Sequence, residues 1–71
     1  MTERPRRHLR LTGEELAMLS LLAQGLPLGG VARRLQVSDR TVRRRTRAIC
    51  DRLGVQSPIE AVVWAARRHL L

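Results

Sequence analysis

The chain has 71 residues, a formal net charge of +8 and fourteen basic side chains, all of them arginine. At this length about 60% of the unfolded chain's surface is buried on folding, which supports one small core and excludes a deep catalytic cleft. The charge favours a polyanionic partner, nucleic acid before an anionic membrane surface. The single cysteine excludes an intrachain disulfide, and no apolar run approaches the roughly 18 residues of a membrane span.

Residues 1–10 form a polar arm carrying Arg4, Arg6, Arg7, His8 and Arg10 around Pro5, without the apolar stretch of a secretory signal. Thr12 opens a capping box with Glu15, and Glu14 and Glu15 sit where the helix dipole favours acids. The first helix is expected over Gly13–Gln24, packing Leu19, Leu22 and Ala23 with Leu16 on the flank, and Gly25 ends it. Pro27 starts the next segment. A short second helix follows over Leu28–Leu35, carrying Val31, Ala32 and Leu35 inward; Gly29 and Gly30 weaken its first turn by about 1 kcal/mol each relative to alanine.

A tight turn at Gln36-Val37 leads to Ser38 as N-cap, and a third helix is expected over Asp39–Leu53 with Gly54 as its stop. At about 100° per residue, Val42, Thr46, Ile49 and Leu53 share one stripe of this helix, and Arg40, Arg43, Arg44 and Arg47 share the opposite face. Only Asp51 interrupts that basic face. Guanidinium forks match phosphate oxygens and the O6/N7 edge of guanine, so a helix apolar behind and arginine-rich in front suits a major groove. Ser57, Pro58 and Glu60 give a further start signal, with a capping box, for a fourth helix over Pro58–His69. That helix has two apolar faces: Ile59, Val62, Val63, Ala66 and Leu70 on one, Ala61, Trp64 and Ala65 on the other. A small domain needs one for its core, and the second points to a partner helix, most simply in a symmetric dimer. The pattern is all-α, and the second and third helices form a helix-turn-helix.

The chain from Leu11 to Leu71 resembles the LuxR/NarL/FixJ-type helix-turn-helix. The matching residues are Leu11-Thr12 with Glu15, Leu19, the LLAQGL run from Leu21 to Leu26, Val31-Ala32 with Leu35, Val37-Ser38, Thr41-Val42, Ile49, Leu53-Gly54-Val55, Ser57, and Glu60-Ala61-Val62 with Ala65. The resemblance implies a four-helix DNA-binding domain of a bacterial transcription regulator, whose third helix enters the major groove and whose fourth dimerises. It places Arg43, Arg44 and Arg47 at the base-contacting positions. The sequence departs from the family pattern in four places. Glu14 stands where arginine is usual, Leu28-Gly29 replaces a polar pair at the start of the second helix, Gln36 stands where glycine is common in the turn, and Arg45 takes a position often held by histidine. A left-handed conformation at Gln36 would cost about 1–2 kcal/mol.

Arg43, Arg44 and Arg47 are the candidates for base edges, and Arg40 for a phosphate. Ser38 and Thr41 either donate hydroxyls to phosphate or only cap the third helix. Arg45 lies at the edge of the core stripe and either snorkels over the first helix or reaches a phosphate. Arg33 and Arg34 on the second helix either touch the DNA backbone or are plain exposed charge. The arginines of the arm either follow the minor groove or belong to a tether. Ala61, Val62, Trp64 and Ala65 are the candidate dimer residues, with two alternatives open: either face of the fourth helix can take the core while the other pairs, and Trp64 is either a dimer anchor or an edge-of-core residue. Cys50 reads as a small hydrophobe, and His8 and His69 stand too far from other ligand types to suggest a metal.

No nucleophile–base pair or phosphate-binding glycine loop is present, so neither enzyme activity, a cofactor nor a small-molecule ligand is expected. The expected partners are double-stranded DNA and a second copy of the chain, in the cytoplasm. Two other readings stay open: a helix-turn-helix that has lost DNA binding and docks on an acidic protein, and a domain like sigma-factor region four, against which the double apolar face of the fourth helix argues. Membrane-surface binding is disfavoured because no Trp, Phe or Leu borders the basic face. About ten residues precede the first helix, so the chain is expected to be either an excised domain or a stand-alone regulator.

Overall fold

A computed structural model describes residues 10–71. Four helices follow one another, α1 (Gly13–Ala23), α2 (Leu28–Leu35), α3 (Asp39–Leu53) and α4 (Pro58–Arg67), and no strand occurs among the described residues. α1 packs against α4 and α2, α2 against α3, and α3 against α4. Arg4, Arg6, Arg7 and His8 lie outside the described residues.

Local chemistry accounts for the helix starts. The Thr12 hydroxyl accepts from the Glu15 N–H (3.1 Å) while the Glu15 carboxylate accepts from the Thr12 N–H (2.9 Å). Ser38 accepts from the Thr41 N–H at 3.0 Å. Ser57 accepts from the Glu60 N–H at 3.2 Å, but the Glu60 carboxylate reaches the N–H of Gln56 (2.8 Å), one residue before the cap expected for a capping box. α2 starts at Pro27 without a side-chain cap. A carboxylate oxygen of Asp39 lies 3.6 Å from where a Cβ on Gly29 would sit, so α3 brings a negative charge to the uncapped, positive end of α2.

All four helices end alike. Gly25, Gln36, Gly54 and His69 have positive φ (95°, 61°, 73° and 59°). The N–H of the next residue then donates five residues back: Leu26 to Leu21, Val37 to Ala32, Val55 to Cys50 and Leu70 to Ala65, at 2.9–3.3 Å. These are Schellman-type ends. α4 therefore stops at Arg67 rather than running to His69, because His69 takes the left-handed conformation that closes the motif.

The core contains Met18, Leu19, Leu21, Val31, Ala32, Val42, Ile49, Cys50, Leu53, Ala61 and Ala65. In α1 it is Met18 and Leu21 that join Leu19 inside; Leu22 is half-buried and Ala23 is exposed. The run from Leu16 to Ala23 is apolar on almost every side, so it lacks the polar face that would orient the helix. Buried Thr46 satisfies its hydroxyl by donating to the Val42 carbonyl (2.6 Å) and lies 3.5 Å from the Met18 sulfur. Burial pushes the Cys50 thiol up, and the nearby charges of Asp51 and Glu60 add to the effect, keeping it a neutral core hydrophobe.

α4 corrects the expected dimer residues. Ala61 and Ala65 are 0% exposed within the single chain, where α4 packs against α1 and α3, and neither offers surface to a second molecule. Val62 and Trp64 are half-buried against the same core. The outward residues are Ile59 (66% exposed) and Val63 (43%), with Ala66 and Leu70 beside them.

Candidate nucleic-acid interface

α3 places its basic side chains by helical geometry alone. Val42, Thr46, Ile49, Cys50 and Leu53 are buried, while Arg40, Arg43, Arg44 and Arg47 are exposed. None of these four makes an ion pair with another described residue. Their guanidiniums form an unneutralised cationic face whose apolar back anchors it to the core. Asp51 is exposed on the same side, near the C-terminal end of the helix.

The other two arginines of α3 behave differently. Arg45 Nη1 lies 3.2 Å from Glu14 Oε1, so it reaches across to α1. Arg52 pairs with the carboxylate of Glu15 and also donates to the Arg10 carbonyl at 3.3 Å. Burial alone would raise the Glu15 carboxyl, but the Arg52 hydrogen bond and the Thr12 N–H outweigh it and hold Glu15 below its ordinary value of 4.5. Arg52 was not among the residues singled out by sequence. The available signal was its seven-residue spacing from Arg45, which puts both on one stripe opposite two adjacent glutamates.

At the start of α3, the Ser38 hydroxyl accepts from the Thr41 N–H and donates to the Thr41 hydroxyl, both at 3.0 Å. Ser38 is committed to the cap, and half-buried Thr41 keeps its own hydroxyl hydrogen available. On α2, Arg33 and Arg34 are exposed and border a shallow groove with Leu26, Pro27 and Gln36. A second groove runs between Arg43 and Arg47 of α3 and the α3–α4 junction, floored by Leu28, Cys50 and Val55. No cluster of three or more His, Cys, Asp or Glu residues able to hold a metal occurs among the described residues, and no helix there is long and apolar enough to cross a membrane.

The sequence that folds into this helix-turn-helix and its flanking helices has counterparts among known proteins. Residues 9–65 match the family of bacterial regulatory proteins known as the luxR family. The chain belongs to this family. Among its relatives is the nitrate/nitrite response regulator protein NarL of Escherichia coli (strain K12), 34% identical over 61 residues, which cover 86% of this chain and 28% of that protein. Another is the transcriptional regulatory protein YdfI of Bacillus subtilis (strain 168), 36% identical over 69 residues, or 97% of this chain and 32% of that protein. The chain thus spans about a third or less of the length of these luxR-family relatives.

Proposed function

We propose that this luxR-family domain binds duplex DNA sequence-specifically and regulates transcription in the cytoplasm. α3 lies in the major groove. Arg43, Arg44 and Arg47 meet base edges, Arg40 and Thr41 meet phosphates near the start of the helix, and Arg33 reaches the backbone from α2. Ser38 contributes by holding the helix start. The observation that carries this reading is the face of four exposed arginines, without acidic partners among the described residues, on a helix whose opposite stripe is buried. Phosphate neutralisation supplies most of the affinity, and arginine–base contacts supply the specificity.

Two copies pair through α4. Ala61 and Ala65 are consumed by the core, so the pairing surface is Ile59, Val63 and Ala66 with Val62 at its edge, and half-buried Trp64 lies about 100° further round the helix from Val63. A two-fold pair of domains reads two half-sites about one helical turn apart. Selection of binding sites from random duplexes tests the reading. A two-fold symmetric motif is expected, bound with a log–log salt slope near −7 for a dimer neutralising about eight phosphates. Failure to enrich any motif, together with a shallow salt slope, would overturn it.

A further inference from the structure

α3 carries six arginines, Arg40, Arg43, Arg44, Arg45, Arg47 and Arg52, and the structure divides them four to two. The outer four face solvent without acidic partners among the described residues. Arg45 and Arg52 lie on the flank toward α1 and meet Glu14 and Glu15. The two pairs are not equivalent. The Glu15 side chain is 20% exposed and also closes the α1 cap, so its pair with Arg52 ties the fold together. The Glu14 side chain is 69% exposed, and Arg45 is its one ion-pair partner among the described residues. A solvated pair of this kind contributes little to stability, and Glu14 makes no cap hydrogen bond. Its effect is electrostatic: it holds one guanidinium and puts a carboxylate beside the cationic face.

We propose that Glu14 is a positioning residue that holds Arg45 back from the phosphate backbone and so limits the domain's non-specific, electrostatic affinity for DNA. The inference rests on the DNA-binding reading above. Arg45 and Thr41 are one turn apart on the flank of α3 bordering the arginine face. A phosphate approaching that flank meets a guanidinium already paired and a carboxylate that repels it. Arg45 gains a phosphate only by leaving Glu14, and the freed carboxylate then stands next to the DNA. The pair thus offsets one cation that the composition alone counts toward binding.

The test is a double-mutant cycle on a selected duplex, with Arg44→Ala as a control for the DNA interface and affinities measured across a range of salt. Glu14→Gln is expected to bind about five-fold tighter near 0.1 M salt, the scale of one exposed ion pair. Its log–log salt slope is expected to steepen by roughly 0.9 per domain as Arg45 gains a phosphate. Arg45→Ala is expected to change affinity little while Glu14 is present, and to abolish the gain in the Glu14→Gln background. Thermal unfolding of Glu14→Gln should match the parent, separating this role from a structural one. Unchanged affinity and slope in Glu14→Gln overturns the proposal, as does an Arg45→Ala loss as large as that of Arg44→Ala with Glu14 in place. Absence of salt-dependent duplex binding by the parent protein removes the DNA-binding reading, and this inference with it.

Discussion

Arg52, in the last turn of α3, donates to the carboxylate of Glu15 in the first turn of α1, joining the N-terminal cap of one helix to the far end of another. The same carboxylate accepts from the Thr12 N–H, so one ionised group serves a local cap and a tertiary tie. This coupling gives the domain a pH dependence with a definite sign. The Glu15 carboxyl is held below 4.5 in the folded chain and returns to its ordinary value on unfolding. Between those values the unfolded chain binds more protons, so stability rises with pH there. The contribution is complete above the unfolded value and is lost as pH falls through the folded one. Urea unfolding at pH 7 and at successively lower pH below 4.5 should show this loss in the parent chain and a flatter profile in Glu15→Gln. Equal profiles would show that the Glu15 contacts do not govern acid stability.

The end of α2 stores conformational strain in Gln36, which adopts φ 61° and ψ 43°. Glycine reaches this region without the Cβ clash that other residues meet. Gln36→Gly should therefore stabilise the domain by about 1 kcal/mol, raising Tm by roughly 4–8 °C. The reverse change at the matching position, Gly54→Ala with φ 73°, should destabilise by a similar amount, about 1 kcal/mol. Thermal melts of the two variants moving in the same direction would contradict this account.

Gly29 is the complementary case, a helical glycine with room around it. A Cβ there meets only the Asp39 carboxylate, at an ordinary 3.6 Å. Gly29→Ala should stabilise α2 by about 0.5–1 kcal/mol through helix propensity, as read from denaturant midpoints. A loss of stability would mean that Asp39 needs a closer approach to the end of α2 than alanine allows.

On the arginine face, Arg44→Ala or Arg47→Ala should cost about 1–3 kcal/mol in DNA binding and relax specificity at a base pair. Arg40→Ala should weaken all duplexes evenly and reduce the salt slope by about 0.9 per domain. Repeating site selection with each variant distinguishes the two patterns. Unchanged specificity in both Arg44→Ala and Arg47→Ala would take base readout away from these residues.

On α4, Val63→Glu should abolish pairing without unfolding the domain, because Val63 faces outward. Ala65→Leu should destabilise the fold by about 1–3 kcal/mol, since Ala65 has no free surface and the core must be overpacked. Sedimentation together with circular dichroism separates the outcomes. A folded Val63→Glu dimer would move the pairing surface elsewhere.

The bounds of α2 and α3 and the outward arginines of α3 were legible in the chain itself. Ser38, Gly54 and Pro27 act within a turn of their own positions. The strong contrast between Val42, Thr46, Ile49 and Leu53 on one side of α3 and the arginines on the other leaves only one way to bury that helix. The same kind of reading misplaced the buried face of α1, where Met18 and Leu21 replaced Ala23, and left open which face of α4 turns outward, where the fold puts Ala61 and Ala65 inside and Ile59 and Val63 outside. Both helices are apolar on more than one side, so their rotation is decided by the shape of the neighbours that pack on them. The pairing of Arg45 with Glu14 and of Arg52 with Glu15, and the approach of Asp39 to the start of α2, likewise depend on where whole helices come to rest. Local hydrogen bonds and side-chain contrast settle an element and its dominant face, whereas choices between similar faces and charge partners distant in sequence are settled only by packing.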